Sequence, residues 1–484
     1  MKRFRFLYSV PILVFLFHFS ATVFASQASD GFYGSFIDRF QKTSGQFGLQ
    51  VIALPSGHEV WEHKSRNTLV PASLVKVLTS YAALKTLGPF HHFNTEIWAM
   101  AAPQQGTLAG DIWIRSDGDN YLLSEKAWTL AQKVKEQGIQ TIRGRIIVDN
   151  SFFFPPSEHI CVDEKCDRSY NPVVSATAME FNTVTLNITP GEKAGAPVEV
   201  SQFPPGDYIE VQNMATTGSS GSKLQLQLKS RGLTRDGHEI YQLSGNLPIG
   251  SEGGRQYRVN VDDPAAFFAH SFSMLLKQAG IDVLGKIPGT GTVPPGAKKI
   301  ASYESAPLGD MLFGLNRYSN NFMAEMLLRS LGAGVVGTPG SVNKGVSVIR
   351  NTLEQLGVPG NEILLDSGSG LSRNCHVSPR AFCSVLTSAY RDFSITPEFI
   401  SSLAMNSNEG TLRRRLRHSG VTVRGKTGTL KDVVGFSGYV SGPQGDLYAV
   451  TVILNDVKNL WEAREVLDSF LEELPSAASS SAPG

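Results

Sequence analysis

Ser73-Leu74-Val75-Lys76, then Ser319-Asn320-Asn321, then Lys426-Thr427-Gly428-Thr429: the order and spacing of these three stretches decide how the rest of the chain is read. The first sets a hydroxyl and an amine one helical turn apart, on one face. The second is a polar cluster in an apolar segment. The third reads as a strand whose Lys and Thr side chains suit a carboxylate. Together they hold the parts of a serine acyl-transfer site.

Ser73 follows Pro71-Ala72 at a predicted helix start, where unpaired N–H groups and the helix dipole favour negative charge on its oxygen. Lys76, at i+3, is a poor base with an ordinary pKa of ~10.4. Burial against Leu74, Val77 and Leu78, the dipole and a second cation, Lys426, would lower that value and let Lys76 take the Ser73 proton. An N-cap serine is the plainer alternative. S-x-x-K also occurs at Ser220–Lys223 and Ser341–Lys344, without a following apolar helix of this quality.

S-x-N recurs at Ser65, Ser169, Ser244, Ser341 and Ser372. What singles out Ser319 is its context, with Asn316-Arg317-Tyr318 before it and the apolar run Phe322–Leu328 after it. Polar groups crowded into apolar surroundings cost stability unless they serve something. Ser319 could relay a proton to a leaving amine, and Asn321 could hold Lys76 and a substrate carbonyl; a helix cap is the rival. K-T-G occurs once. Lys426, Thr427 and Thr429 are candidates for binding a terminal carboxylate, with Gly425 and Gly428 admitting a ligand backbone. The backbone N–H groups of Ser73 and Thr429 are the expected oxyanion donors. Gly420 with Gly425-Lys426-Thr427 has P-loop spacing, but β-branched residues lie between the glycines and no helix follows. His91-His92 reads as polar surface.

The chain has 484 residues, 41% hydrophobic and 18% charged, with a net charge of +1, so nothing points to nucleic acid or to an acidic disordered tail. Lys2, Arg3 and Arg5 precede an apolar stretch, Phe6–Phe19, and Val23-Phe24-Ala25 suits a signal peptidase, so cleavage is expected after Ala25. Export permits disulfides. Cys161 and Cys166 have the spacing of a loop staple; a zinc site would need four ligands, and only His159 is near. Cys375 and Cys383 have no firm pairing.

Phe32, Phe36, Ile37 and Phe40 place one apolar face on a helix over 30–42, followed by strands at Phe47–Leu54 and His58–His63 and an apolar helix from Ser73 to Leu87. The C-terminal part offers strands at Thr422–Thr427, Gly435–Ser441 and Leu447–Leu454, then a helix, Asn459–Leu474. One five-stranded antiparallel sheet built from both ends accounts for this symmetry. Between them lie a helical part carrying Ser319 and a strand-rich stretch, in which Gly110–Arg115 and Gly144–Asp149 flank a helix, Ser124–Gln137. The acidic last helix reads as core-packing, not as an anchor to anionic lipid.

With these motifs the chain resembles the penicillin-recognising serine acyltransferases. The interval from Ser73 to Ser319 is more than twice that from Ser319 to Lys426, and so long a first interval is similar to the D-alanyl-D-alanine carboxypeptidase/endopeptidase family, the class C low-molecular-mass penicillin-binding proteins of the penicillin-binding protein four type. Asp366-Ser367-Gly368-Ser369-Gly370-Leu371-Ser372-Arg373, Glu409-Gly410-Thr411-Leu412 and Ala178-Met179-Glu180-Phe181-Asn182 also resemble it, and the likeness runs from about Phe32 to Leu474.

The resemblance implies an α+β fold: a penicillin-binding/β-lactamase-like transpeptidase domain with a large strand-rich insertion and a small α/β subdomain. The expected segments are a leader (1–25), the peptidase domain (26–80 and 274–474), the insertion (81–102 and 175–273), the nested subdomain (103–174) and a flexible tail (475–484). It implies removal of terminal D-Ala from pentapeptide stems and cleavage of D-Ala–diaminopimelate cross-links. Ser73 would be the nucleophile, Lys76 the base, Ser319 and Asn321 the second element, and Lys426, Thr427, Gly428 and Thr429 the carboxylate-binding strand. Arg373, Asp167 and Tyr170 would meet the diaminopimelate side chain.

No cofactor and no metal are implied. Expected partners are peptidoglycan stem peptides and β-lactams as covalent inhibitors, with a homodimer as one option, and neither nucleic acid nor a membrane segment after leader cleavage. The expected location is the periplasm, soluble or loosely membrane-attached. The rival readings are a β-lactamase or esterase of the same superfamily, against which the missing Glu-x-x-Leu-Asn and the long insertion argue, and a catalytically silent scaffold.

Overall fold

The computed structural model describes residues 31–479 apart from 163–165, 167, 235–236, 286–288 and 418–419. The expected leader, Asp167 and the last five residues lie outside the described residues.

Both ends of the chain build one sheet. Its order is Glu59–His63, Gln46–Leu54, Leu447–Asn455, Val433–Ser441, Thr422–Leu430 and Ala404–Met405, antiparallel throughout. Five strands are those expected; the two-residue sixth covers only Arg424 and Gly425. Among the described residues, the outer edge of Thr422–Leu430 has no strand partner from Lys426 onward.

Val433–Ser441 and Leu447–Asn455 are buried at nearly every position, which requires helices on both faces. On one face the helix over 31–43 brings Phe36 and Phe40 onto Phe470 of the helix Leu460–Ser479, above Phe47, Leu49, Val434 and Val452. On the other, Val75–Thr86 and Pro379–Arg391 pack on Tyr439, Ala449 and Ile453. Every residue from Val75 to Leu84 is buried, the polar Lys76, Thr79 and Ser80 included.

The tail departs from expectation. The last helix runs through Pro475 to Ser479, with Leu474 and Ala478 in the core. Packing against the sheet outweighs the single hydrogen bond a proline forfeits near a helix end, and the alanines favour helix.

The expected segment boundaries cut through elements. Val75–Thr86 crosses 80/81 and Pro264–Gln278 crosses 273/274. A second sheet runs Gly289–Thr290, Ile146–Asp149, Ile112–Ser116, Asn94–Ala99 and Lys298–Glu304, so segments from three expected units share it. The helix Ser124–Glu136 and Pro264–Gln278 supply its core, with Leu130, Val134, Phe268 and Phe272. Three three-stranded sheets accompany it, centred on Thr183–Thr189, Glu239–Pro248 and Thr141–Ile142, with a two-stranded pair of Ser157–His159 and Val173–Ser175. Among the described residues no helix is long and apolar enough to cross a membrane.

Candidate active site

Ser73 sits in a 3-10 turn, Ala72–Leu74, that leads into Val75–Thr86. Two chain segments close on this turn, and glycine makes both approaches feasible. A Cβ on Gly370, which has φ +74°, would lie 1.8 Å from the Ala72 carbonyl oxygen; one on Gly428 would lie 2.7 Å from that of Pro71. The first segment is the loop 366–373; the second is the strand Thr422–Leu430.

Lys76 is fully buried, and its Nζ has three neighbours: Ser73 Oγ at 3.0 Å, Asn321 Oδ1 at 2.7 Å and the Ser369 carbonyl at 2.7 Å. Burial above all, and then the charge of Lys426, hold its pKa well below the ordinary lysine range, while Glu325 pulls it back up. A neutral amine so placed donates to two carbonyl oxygens and turns its lone pair to the Ser73 hydroxyl. Lys426 is equally buried and donates to the Thr427 carbonyl at 2.7 Å; burial lowers its pKa to about 7.

The second expected element divides. The helical stretch breaks between Leu308–Arg317 and Asn321–Leu331, and Ser319 takes φ +57° at the corner. Asn320, not Ser319, caps the following helix by accepting from the Met323 N–H at 3.1 Å. Asn321 reaches Lys76 and also donates through Nδ2 to the Tyr170 carbonyl at 2.7 Å. Ser319 Oγ has no hydrogen-bond partner among the described residues; its hydroxyl is bonded to neither Lys76 nor Ser73.

On the strand, Thr429 is exposed and accepts from Arg464 Nη2 at 3.3 Å, a contact from the last helix that no motif indicated. Arg373 forms an ion pair with Asp432, just beyond the strand's end. Tyr170 meets the site through its backbone, and its ring is exposed. Cys161 and Cys166 are disulfide-bonded in the same loop, whereas Cys375 and Cys383 are free and buried. The competing Ser341–Lys344 match is a helix cap: Ser341 Oγ accepts from the Lys344 N–H at 3.4 Å.

Sequence reading missed Ser369 and Glu325. Ser369 lies in the quoted loop, but nothing in a sequence says which carbonyl will face an amine. Glu325 did leave a signal, as a lone charge inside the apolar run Phe322–Leu328.

Comparison with known proteins identifies the family and the fold. The model of the D-Ala-D-Ala carboxypeptidase 3 (S13) family matches residues 39–474. The chain is similar to the D-alanyl-D-alanine carboxypeptidase of an Actinomadura species, 32% identical over 426 residues, which are 84% of this chain and 77% of that protein. It is also similar to the D-alanyl-D-alanine carboxypeptidase DacB of Haemophilus influenzae, 26% identical over 411 residues, covering 81% and 82%. Its fold is similar to the crystal structure of penicillin binding protein 4 (dacB) from Haemophilus influenzae, with a TM-score of 0.75 and 23% identity over 91% of this chain and 98% of that one. The chain belongs to the D-Ala-D-Ala carboxypeptidase 3 (S13) family and is a serine-type peptidase of that class.

Proposed function

We propose that this enzyme is an exported peptidase of peptidoglycan metabolism. It removes terminal D-Ala from pentapeptide stems, and cleaves D-Ala–diaminopimelate cross-links, through an acyl-enzyme on Ser73. Ser73 Oγ attacks the carbonyl carbon of the scissile amide as Lys76 takes its proton. The oxyanion is received by the backbone N–H groups of Ser73 and Thr429. As the tetrahedral species collapses, the C–N bond breaks, and the leaving amine takes its proton from the Ser319 hydroxyl, which turns toward Lys76 on substrate binding and regains a proton from it. Water then releases the acyl group. Lys426, Thr427 and Thr429 hold the terminal carboxylate along the open strand edge, Gly428 keeps that strand close to the Ser73 turn, and Arg373 and Tyr170, with Asp167, receive the diaminopimelate side chain.

The observation that carries the reading is the threefold contact of Lys76 Nζ with Ser73, Asn321 and Ser369 in a fully buried setting. Related proteins support it at the level of chemistry: the Haemophilus influenzae penicillin binding protein 4 has been solved in complex with a β-lactam.

Intact-protein mass spectrometry with benzylpenicillin, on wild type and Ser73→Ala, tests the proposal. One stable adduct in wild type and none in the variant is the expected result. No adduct with intact penicillin would point to a silent scaffold, and no adduct with destroyed penicillin to a β-lactamase.

A further inference from the structure

Glu325 lies one turn beyond Asn321 on the helix Asn321–Leu331, fully buried. One of its oxygens, Oε1, accepts three bonds from a single turn: from Ser367 Oγ at 2.6 Å, Ser369 Oγ at 2.7 Å and the Ser369 N–H at 2.9 Å. Those hydroxyls in turn accept the N–H groups of Gly370 at 3.0 Å and Leu371 at 3.1 Å. The carboxylate is thus the hub of the turn whose Ser369 carbonyl accepts from Lys76.

The other oxygen, Oε2, pairs with Arg329 Nη1 at 3.1 Å, and Arg329 also pairs through Nη2 with Glu158. Glu158 belongs to the strand Ser157–His159, which pairs with Val173–Ser175. The segment between these strands holds the Cys161–Cys166 bridge and Tyr170, whose carbonyl anchors Asn321. A chain of charge-assisted bonds therefore runs from the loop 366–373 through the helix to the insertion hairpin.

A buried ion pair is seldom a better stabiliser than apolar residues of the same volume, and the surrounding helix is apolar. What a leucine at this position could not supply is an acceptor for three donors together with a counter-charge for Arg329.

We propose that Glu325 is a positioning residue: it sets the two acceptors that aim Lys76 at Ser73, the Ser369 carbonyl directly and Asn321 through Arg329, Glu158 and the Tyr170 hairpin. The inference rests on the reading of Ser73 and Lys76 as nucleophile and base. Two charged groups act on Lys76, Lys426 from the strand Thr422–Leu430 and Glu325 from the helix Asn321–Leu331. Removing the Glu325 charge takes away the one that favours the protonated amine. The acidic limb of acylation then moves to lower pH, a shift that loosened packing alone would not produce.

The test compares wild type, Glu325→Gln and Glu325→Asp in two measurements: acylation by a fluorescent penicillin from pH 5 to 9, and hydrogen exchange of peptides spanning 366–371. For Glu325→Gln we expect acylation at pH 7 to slow by about 10- to 100-fold, the scale of a small misplacement of reacting groups. Its acidic limb should move down and the turn should lose protection, with Glu325→Asp recovering part of both. If Glu325→Gln fails to fold, Ser367→Ala/Ser369→Ala removes two of the three donors and keeps the charges; it should slow acylation and expose the turn without moving the limb. A reactive wild type with an indifferent Glu325→Gln, or a slow variant with a fully protected turn, overturns the inference alone. A wild type that takes no penicillin overturns the reading of Ser73 and the inference together.

Discussion

Replacing Lys426 by Met removes a fully buried amine whose one hydrogen-bond acceptor among the described residues is the carbonyl of the next residue, and keeps most of its volume. Burial lowers the Lys426 pKa from 10.5 to about 7 in the folded protein. Between these values the unfolded chain holds a proton that the folded protein does not, so folding stability rises with pH. The penalty is absent above the unfolded-state value, grows as pH falls, and is complete below the folded-state value. Integrated over this window, the amine costs the fold about 4 kcal/mol at pH 7 and about 2 kcal/mol at pH 9. Burial, the larger cause of the Lys76 shift, acts in both proteins and drops out of the difference; the smaller part due to the Lys426 charge is relieved in the variant and adds to its advantage at pH 7.

Lys426→Met should therefore be more stable than wild type at pH 7, and its advantage should shrink by about 2 kcal/mol by pH 9. Urea melts of both proteins at the two pH values measure this. An advantage that does not change with pH would refute the reasoning, because the amine would then titrate alike in both states. Function should move the opposite way. Carboxylate capture needs the protonated form, whose share falls from about one half at pH 7 to about one in a hundred at pH 9. KM for a peptide ending in a free carboxylate should rise over this range, and the variant should start high and stay flat.

Ser319→Ala should leave the melting temperature nearly unchanged, since the hydroxyl has no partner among the described residues, yet lower kcat by about 10²-fold or more if the hydroxyl relays the leaving-group proton; equal kcat values would remove Ser319 from the reaction. Gly370→Ala should destabilise by roughly 2–4 kcal/mol and slow acylation, because its Cβ would meet the Ala72 carbonyl at 1.8 Å and alanine resists φ +74°; a wild-type melt together with wild-type acylation would show that the turn can yield.

Local pattern carried a long way in this chain. The alternating and continuous apolar runs located all five long strands of the main sheet, because burial imposes its period on the sequence directly. Ser73 and Lys76 were legible for a similar reason: one helical turn fixes their separation wherever the helix lies. The approach of Asn321 and Lys426 was inferred from the order of motifs, and here chemistry did what spacing could not.

Other features were decided only when the segments packed. The chain returns at Lys298–Glu304 to complete a sheet begun at Asn94–Ala99, which no window of sequence can show. The helix continues through Pro475 because the core beneath it holds Leu474 and Ala478. The lowered pKa values of Lys76 and Lys426 follow from burial, and the roles of Ser369 and Glu325 follow from which carbonyl and which carboxylate reach the amine. Periodicity and residue type belong to neighbours along the chain and can be read from it. Desolvation and contact belong to neighbours in space, and these exist only once the chain has folded.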